Sequence, residues 1–163
     1  MLKIIIVPNP ILNQKTEKVK KIDSEVLALI PQMIEACRNA QGIGLAAPQV
    51  GRSIRLCIIN LEHLGVAPFA LINPKITKKS WRKEEMEEGC LSLPGIYGIV
   101  RRPKTIKVKA LNPEGQESEI EADGLLSRVI QHEVDHLDGI LITSKFIRIT
   151  DGRETKKRKE ENL

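Results

Sequence analysis

The sequence predicts an α+β fold in which antiparallel β-sheets pack around a helix near the C-terminal end, with a second helix near the N-terminal end. Two observations support this. The strand-like runs follow one another with few helices that could cross between them, and helical periodicity is confined to two segments. The length of 163 residues fits one domain. We expect a single domain over residues 1–150 and a polar, basic tail over 151–163.

The first half of the chain begins with a helix and continues into strands. Apolar residues recur at helical spacing over 24–40, and Asp23 or Ser24 can cap that helix. A loop rich in glycine and proline follows over 42–51. Strand-like runs lie near 54–60, 69–77, 81–88, 96–102, 104–111 and 116–122. The turn at 112–115 indicates that the last two runs form a hairpin.

The second helix is expected over 125–138, with Asp123 or Gly124 as its N-cap and Gly139 just beyond its end. At about 100° per residue, its apolar half contains two adjacent stripes. One stripe is Leu125, Val129, His132 and His136, and the other is Leu126, Ile130, Glu133 and Leu137. The remaining arc is mostly polar and contains Ser127, Arg128, Gln131, Val134, Asp135 and Asp138. A short apolar piece follows over 140–149.

The segment His132-Glu133-Val134-Asp135-His136 is typical of a metal-dependent hydrolase. Two histidines four residues apart on a helix can share one metal ion, and the glutamate beside them can move protons. A carboxylate in the apolar half of a helix is costly unless it is paired or lies near a cation. The alternative is a pair of core histidines with Glu133 bonded to a backbone donor. The segment leaves the third ligand open.

Composition narrows the class of protein. Hydrophobic residues at 41% and charged residues at 29% are typical of a soluble globular chain. No apolar run is long enough to span a membrane, and the apolar part of the N-terminal segment is too short for a secretory signal. We therefore expect a cytoplasmic protein without a membrane partner. Three cysteines do not suggest a disulfide framework. Cys37 and Cys57 are expected in the core, whereas Cys90 fits no periodic core face.

The formal charge of +5 is concentrated in the tail, where 156–159 are all basic. A frayed, solvated terminus is one interpretation, and contact with an acidic partner such as RNA is the other. No aromatic residue lies among these tail charges, so a base-stacking surface is not expected there. A sequence-specific nucleic-acid partner is not expected either.

The loop at 42–49 matches the pattern GxGxxG/A of dinucleotide-binding proteins, but its context does not. That pattern requires a strand before it and a helix opening within it. Here a helix precedes the loop, and Pro48 obstructs a helix across it. The segment is better interpreted as an extended stretch whose glycines allow another backbone to approach closely.

Three segments together resemble the peptide deformylase family. They are the glycine-rich loop at 42–49, Glu-Gly-Cys-Leu-Ser at 88–92, and the helical segment at 131–139. Their order and separations are similar to those of the family, and the matched layout covers roughly residues 1–150. The resemblance implies a catalytic domain over 1–150 that removes the N-formyl group from the formyl-methionine of nascent polypeptides and releases formate.

The resemblance also implies the site residues. Cys90, His132 and His136 would hold one divalent metal ion per chain, with Fe²⁺ as the expected native ion and Zn²⁺, Ni²⁺ or Co²⁺ as other occupants. Glu133 would act as general base. Gln49 and the backbone N–H of Leu91 would stabilise the oxyanion.

For the substrate, we expect the peptide to pair with the edges at Gly44 and Gly89. The expected methionine pocket is formed by Ile43, Met86, Leu125 and Val129. Arg128 either lines this pocket or lies on the surface. Glu88 and Arg102 are expected to pair and brace the Cys90 loop. In this family, longer basic tails contact the ribosome, so such a contact is a further hypothesis for the tail here.

Two rival functions follow from the same helix. An ordinary HExxH metallopeptidase would use a third histidine or glutamate ligand downstream, and an amidase acting on another small N-acyl peptide is a variant of this alternative. No histidine follows His136, and His63 has no motif around it. A binding protein with a structural metal would need a fourth protein ligand.

Overall fold

The protein, described here from a computed structural model, has its structure defined over residues 2–160. The α+β class with antiparallel sheets is confirmed. The three α-helices are α1 (Ser24–Asn39), α2 (Gly124–Leu137) and α3 (Arg153–Glu160). The strands are β1 (Gly44–Ala46), β2 (Leu56–Leu61), β3 (Val66–Lys79), β4 (Lys83–Cys90), β5 (Leu93–Pro103), β6 (Thr105–Leu111), β7 (Glu117–Asp123) and β8 (Phe146–Thr150).

A five-stranded antiparallel sheet, in the order β1-β2-β3-β6-β7, lies between α1 and α2. Strand β2 is buried along its whole length, as expected for a continuous apolar run with both faces covered. Its alternate residues serve different helices: Leu56 and Ile58 join the cluster around α1, whereas Cys57 and Ile59 join the cluster around α2. The predicted core positions of Cys37 and Cys57 are confirmed.

Helix α1 follows its prediction closely. The Asp23 side chain accepts a hydrogen bond from the Val26 N–H at 3.0 Å, which caps the first turn. The apolar stripe that includes Leu29, Met33 and Cys37 is buried against the sheet. The predicted hairpin of β6 and β7 is also present, with Thr105 opposite Asp123 and Leu111 opposite Glu117.

Helix α2 is more deeply buried than its polar arc predicted. Ser127, Arg128 and Gln131 are all at most 5% exposed. A second, three-stranded sheet in the order β4-β5-β8 covers that arc. Its backbone carbonyls satisfy the buried donors: Arg128 donates to Val100 O at 2.9 Å, and Gln131 donates to Pro103 O at 2.9 Å. The polar arc is therefore an internal surface between helix and sheet.

The start of α2 also differs in detail from the prediction. Asp123 occupies the N-cap position, but its side chain makes no capping hydrogen bond. Instead its carboxylate accepts a hydrogen bond from Thr105 Oγ1 at 2.9 Å across the hairpin. The Asp123 side chain thus stabilises the β6–β7 pair where the chain enters α2, instead of capping the helix.

Several elements were absent from the sequence prediction. The glycine-rich loop contains the short edge strand β1, and the apolar piece at 140–149 includes strand β8, which pairs with β5. Much of the tail, for which a frayed terminus was one interpretation, forms α3 against β4. Residues 161–163 of the predicted tail lie outside the described residues.

The N-terminal segment is hydrogen-bonded both to the glycine-rich loop and to the loop that contains Cys90. The Ile5 N–H donates to Gln49 O at 2.8 Å, and the Val7 N–H donates to Ser92 O at 3.0 Å. One extended strap thereby holds the ends of the glycine-rich loop and the Cys90 loop at a fixed separation. Within residues 2–160, no helix has the length and apolar character needed to cross a bilayer.

Candidate active site

Cys90, His132 and His136 converge at one point although Cys90 lies 46 residues before His136. One ligand atom from each lies within 4.8 Å of the others. The Cys90 sulfur is 3.2 Å from Nε2 of His136. The two histidines are one helical turn apart on α2, so their rings project to the same side. Cys90 reaches them because β4 ends beside that turn.

Glu88 orients the first histidine. Its Oε2 lies 3.0 Å from Nδ1 of His132. Because an ionised carboxylate can only accept, Nδ1 carries a proton, which leaves Nε2 as the nitrogen that can offer a lone pair to a metal. This is the tautomer that a metal-binding imidazole needs, and a carboxylate behind a ligating histidine is a common way of fixing it.

The same carboxylate anchors two buried arginines. Oε1 of Glu88 accepts from Arg102 Nε at 2.6 Å and from Arg128 Nη1 at 2.7 Å, and Oε2 also accepts from Arg102 Nη2 at 3.0 Å. Burial by itself raises the pKa of Glu88, but the hydrogen bonds from His132 and Arg102 outweigh it and hold the pKa well below its ordinary value. Glu88 is therefore a permanent anion in the core.

This cluster bears directly on two sequence predictions. The expected pair of Glu88 and Arg102 is present, and Asp135 extends it by accepting from Arg102 Nη1 at 2.7 Å. The surface position considered for Arg128 is wrong, since it is 5% exposed. Arg128 does line the cavity, but its guanidinium is directed to Glu88 and to backbone carbonyls.

Glu133 follows His132 directly on α2 and is 3% exposed. Burial raises its pKa to about 7, with the charges of His132 and Arg102 opposing the rise. Within residues 2–160, its Oε2 has no hydrogen-bond partner. An unpaired buried carboxylate oxygen is costly, and a role in proton transfer would explain why it is kept.

Gly44 makes room for that carboxylate. A Cβ atom built on Gly44 would overlap Glu133 Oε1 and would lie only 2.9 Å from Val129 Cγ1. The absence of a side chain therefore lets β1 approach α2 closely. The extended conformation expected for this segment is present in β1, but the atoms that approach Gly44 are side-chain atoms of α2 rather than another backbone.

Gln49 has a defined amide orientation. Its Oε1 accepts from the Ala46 N–H at 2.9 Å, which assigns Nε2 to the opposite side. Nε2 donates to Ser92 Oγ at 3.1 Å and lies 3.6 Å from the Cys90 sulfur. The amide N–H group is thus directed at the convergence point of the ligands.

A cavity of about 670 Å³ opens beside these groups. Most of the predicted substrate contacts line it, including Leu91 with the predicted oxyanion donor. The exception is Met86, which lies outside the lining because β4 carries it about 7 Å along the strand from Glu88. His63, which had no motif, lies in the lining but not in the group of metal ligands. The predicted residues in the lining are Ile43, Gly44, Gln49, Gly89, Cys90, Leu91, Leu125, Arg128, Val129, His132 and Glu133.

The tail supplies a wall of the cavity that the sequence did not indicate. Thr155 and Arg158 of α3 line it together with Glu87 and Tyr97. The buried carboxylate of Glu87 accepts from Thr150 Oγ1 and from the Thr155 N–H, both at 2.6 Å. Arg158 donates to the Glu87 carbonyl at 2.6 Å. Two adjacent acids in a strand, Glu87 and Glu88, were the available signal, since their side chains point to opposite faces and each needs its own partner.

Ser92 is the other residue that sequence reasoning left without a role. It is fully buried, receives the Gln49 amide, and its carbonyl accepts from the N-terminal strap. Its presence in the matched segment at 88–92 was the only signal for it.

The donor set fits a divalent transition metal. One thiolate and two imidazoles suit Fe²⁺, Zn²⁺, Ni²⁺ and Co²⁺ alike. Ligand atoms around one such ion lie roughly 3–4 Å apart, and the separations here, 3.2 Å for one pair and at most 4.8 Å for all, are close to that. The buried unpaired oxygen of Glu133 beside the group is also consistent with a ligand at this position.

Comparison with known proteins gives one family. The sequence model of the polypeptide deformylase family matches residues 1–151. Peptide deformylase of Natranaerobius thermophilus is 47% identical over 132 residues, covering 81% of this chain and 83% of its own. Peptide deformylase of Dictyoglomus thermophilum is 46% identical over 151 residues, covering 92% of this chain and 95% of its own.

Solved structures agree with the sequence matches. The crystal structure of peptide deformylase from Thermotoga maritima superposes with a TM-score of 0.87 at 40% identity, covering 91% of this chain and 99% of its own. That of a peptide deformylase from Synechococcus elongatus in complex with actinonin has a TM-score of 0.86 at 40% identity, covering 98% of this chain and 86% of its own.

Proposed function

Because the chain belongs to the polypeptide deformylase family and is thus a hydrolase, we propose that it removes the formyl group from the N-terminal formyl-methionine of newly made polypeptides in a metal-dependent reaction. The products are formate and a free amino terminus. The observation that supports this most directly is the convergence of Cys90, His132 and His136 beside the buried carboxylate of Glu133. Among residues 2–160, the fold supplies no further metal ligand for either rival function, since His63 does not join the group of Cys90, His132 and His136.

Cys90, His132 and His136 are proposed to hold one divalent ion, with Fe²⁺ as the native one and Zn²⁺, Ni²⁺ or Co²⁺ as substitutes. When bound, the ion supplies Lewis acidity, which activates water and polarises the formyl carbonyl. Glu88 supports this role by fixing the His132 tautomer. The deep burial of His136 lowers its pKa, which keeps that imidazole neutral and able to bind a metal.

Glu133 is proposed as general base and then general acid. It takes a proton from the attacking water as the water oxygen bonds to the formyl carbon. The negative charge that develops on the formyl oxygen is met by Nε2 of Gln49 and the N–H of Leu91. The carbon–nitrogen bond then breaks, and Glu133 delivers the proton to the departing amine.

The peptide behind the formyl group is proposed to bind as an added strand. Strand β1 is an edge of the five-stranded sheet and β4 is an edge of the three-stranded sheet, and both edges face the cavity through Gly44 and Gly89. The methionine side chain then contacts Ile43, Leu125 and Val129, with the aliphatic stem of Arg128 beside them. The proposal places the reaction in the cytoplasm, where polypeptides are made. Contact of the tail with the ribosome remains a prediction.

The decisive experiment distinguishes the loss of the general base from the loss of the metal ligands. Glu133→Gln should retain the metal, measured by elemental analysis of anaerobically purified protein. The rate of formate release from formyl-Met peptides should fall by about 10²–10⁴-fold. The matched control is Glu35→Gln, an exposed glutamate on α1. Full turnover in Glu133→Gln would refute the assigned base, and a metal-loaded wild-type protein that releases no formate would refute the function.

A further inference from the structure

The hairpin tip between β3 and β4 combines a fully exposed aromatic ring with a run of cations. Its sequence from residue 78 to residue 83 is Lys-Lys-Ser-Trp-Arg-Lys, and we refer to it as the basic hairpin. Trp81 is 100% exposed and is the one tryptophan of the chain. A tryptophan normally buries much of its 150–250 Å² of surface. Its complete exposure between cations therefore needs an explanation.

The basic hairpin is held in place rather than loosely attached. The Ser80 N–H donates to Thr105 O at 2.9 Å, and Ser80 Oγ accepts from the Thr105 N–H at 3.0 Å. The Lys104 N–H donates to Arg82 O at 2.9 Å, and Ser80 Oγ donates to the same oxygen at 2.8 Å. These bonds fix the backbone on both sides of Trp81, so that the indole is presented outward by a rigid support.

The positive charge of the basic hairpin is largely uncompensated. Its six residues include four cations and no acid. Arg82 lies 3.7 Å from Glu84. In the part of the chain that the structure describes, Lys78, Lys79 and Lys83 make no ion pair. Lys78 lies opposite Lys107 in the β3–β6 register, but Lys107 adds no free charge, since its Nζ is 3.9 Å from Glu119 and 3.8 Å from Glu121.

We propose that the basic hairpin binds single-stranded RNA, with the indole of Trp81 stacked on an unpaired base and the flanking lysines and arginine in contact with phosphates. An aromatic platform among cations is the combination that binds single strands without sequence preference. An anionic membrane would also attract the charges, but residues 77–83 contain no apolar side chain besides Trp81. The apolar area is therefore small for membrane insertion. None of residues 78–83 lines the catalytic cavity, so binding and catalysis are separable.

The single tryptophan makes a direct experiment possible. Wild-type protein is titrated with a single-stranded oligouridylate of about twelve nucleotides, a length within known site sizes. Stacking should quench the Trp81 emission. The logarithm of the association constant should fall with the logarithm of salt concentration with a slope of about −2 to −3, since three or four phosphate contacts on a single strand each contribute about 0.7. Duplex RNA of the same length should quench less, because its bases are already stacked.

Variants are compared by the anisotropy of a labelled oligouridylate. Trp81→Ala should weaken binding by about 5- to 150-fold, and Trp81→Phe should recover part of the loss. Lys78→Gln/Lys79→Gln should weaken binding and lower the salt slope by about 1–2. The matched control is Lys20→Gln/Lys21→Gln, which removes the same charge from an exposed segment elsewhere. Formate release should be unchanged in all these variants.

The possible outcomes are distinguishable. Equal weakening by the two lysine pairs, with no effect of Trp81→Ala, would show general charge attraction and overturn the proposal. Vesicles of phosphatidylserine and phosphatidylcholine that shift the Trp81 emission to shorter wavelength, with no quenching by RNA, would show a membrane surface and also overturn it. Quenching by single-stranded RNA that depends on Trp81 and on the hairpin lysines supports it.

Discussion

Glu88→Gln should weaken both the fold and the metal site, because one carboxylate serves four donors. Each oxygen of Glu88 accepts two hydrogen bonds: Oε1 from Arg102 and Arg128, and Oε2 from Arg102 and His132. In glutamine one oxygen becomes an NH₂ group that cannot accept. Whichever way the amide turns, two of the four bonds are lost and two donors face a donor.

The expected cost follows from burial. Each lost bond joins a charged group to a buried partner and is worth about 1.5–3 kcal/mol, so that two bonds give about 3–6 kcal/mol. Removal of one member of a buried ion pair costs a similar amount, about 3–5 kcal/mol. Arg102 and Arg128, at 3% and 5% exposure, cannot recover their solvation without a rearrangement of α2 against the sheet. Loss of the carboxylate behind His132 should also lower metal affinity by about 10–100-fold.

Two measurements test this expectation. Denaturant unfolding of the metal-free protein gives the change in stability, and competition with a chelator gives the change in Zn²⁺ affinity. Glu85→Gln is the matched control, since it lies on the same strand with an exposed side chain. Arg102→Ala should likewise reduce metal retention and turnover. A Glu88→Gln protein within about 1 kcal/mol of wild type, with unchanged metal affinity, would refute the assigned role of the cluster.

Two further predictions concern the walls of the cavity. Gly44→Ala should lower formate release more than metal content, because the new methyl group would displace the Glu133 carboxylate rather than a metal ligand. The overpacking should also cost about 1–3 kcal/mol of stability. Equal loss of metal and activity would contradict this reason. At low pH, α3 should detach from β4, because the ionised carboxylate of Glu87 holds it there. Burial raises the pKa of Glu87, but the hydrogen bonds from Thr150 and Thr155 outweigh this effect and lower the pKa below its ordinary value. Because the pKa of Glu87 is lower in the folded state, the stability that its ionised carboxylate contributes is complete above the ordinary carboxyl pKa. That stability is lost as the pH falls through the lowered pKa of the folded state. Hydrogen exchange of residues 153–160 should therefore increase below about pH 4 in the wild type. Glu87→Gln should show the increase already at neutral pH. Protection in Glu87→Gln equal to that of the wild type would contradict the role of Glu87 in holding α3 against β4.

Local signals predicted most of the framework. The cap at Asp23, the apolar stripe of α1 and the turn at 112–115 all act over a few residues, and the structure has the corresponding elements with shifts of at most three residues at their ends. The short strand β1 was not predicted, because three residues are too few to show a period. Strand β8 was not predicted because its pairing with β5 is long-range.

The candidate site likewise has features that the sequence predicted and features that it could not predict. His132, Glu133 and His136 could be found because their spacing is a property of one helix, and Cys90 could be joined to them through the resemblance of the segment at 88–92. The fourfold use of Glu88 and the burial of Arg128 could not be found. Both depend on the three-stranded sheet covering the polar arc of α2, and that arc has the composition of a solvated surface.

The sequence by itself determined the family and the hydrolase class, and it predicted the residues proposed to hold the metal, since these depend on residue types at short, fixed spacings within each segment. Only the tertiary structure decided which polar residues are buried, how Glu88 fixes the tautomer of His132, and that Glu87 holds the tail as a wall of the cavity. It also decided that Trp81 stands exposed on a rigid support instead of joining the core. The physical reason is that burial and long-range hydrogen bonds depend on which surfaces meet, and that is a property of the packed chain rather than of any one segment.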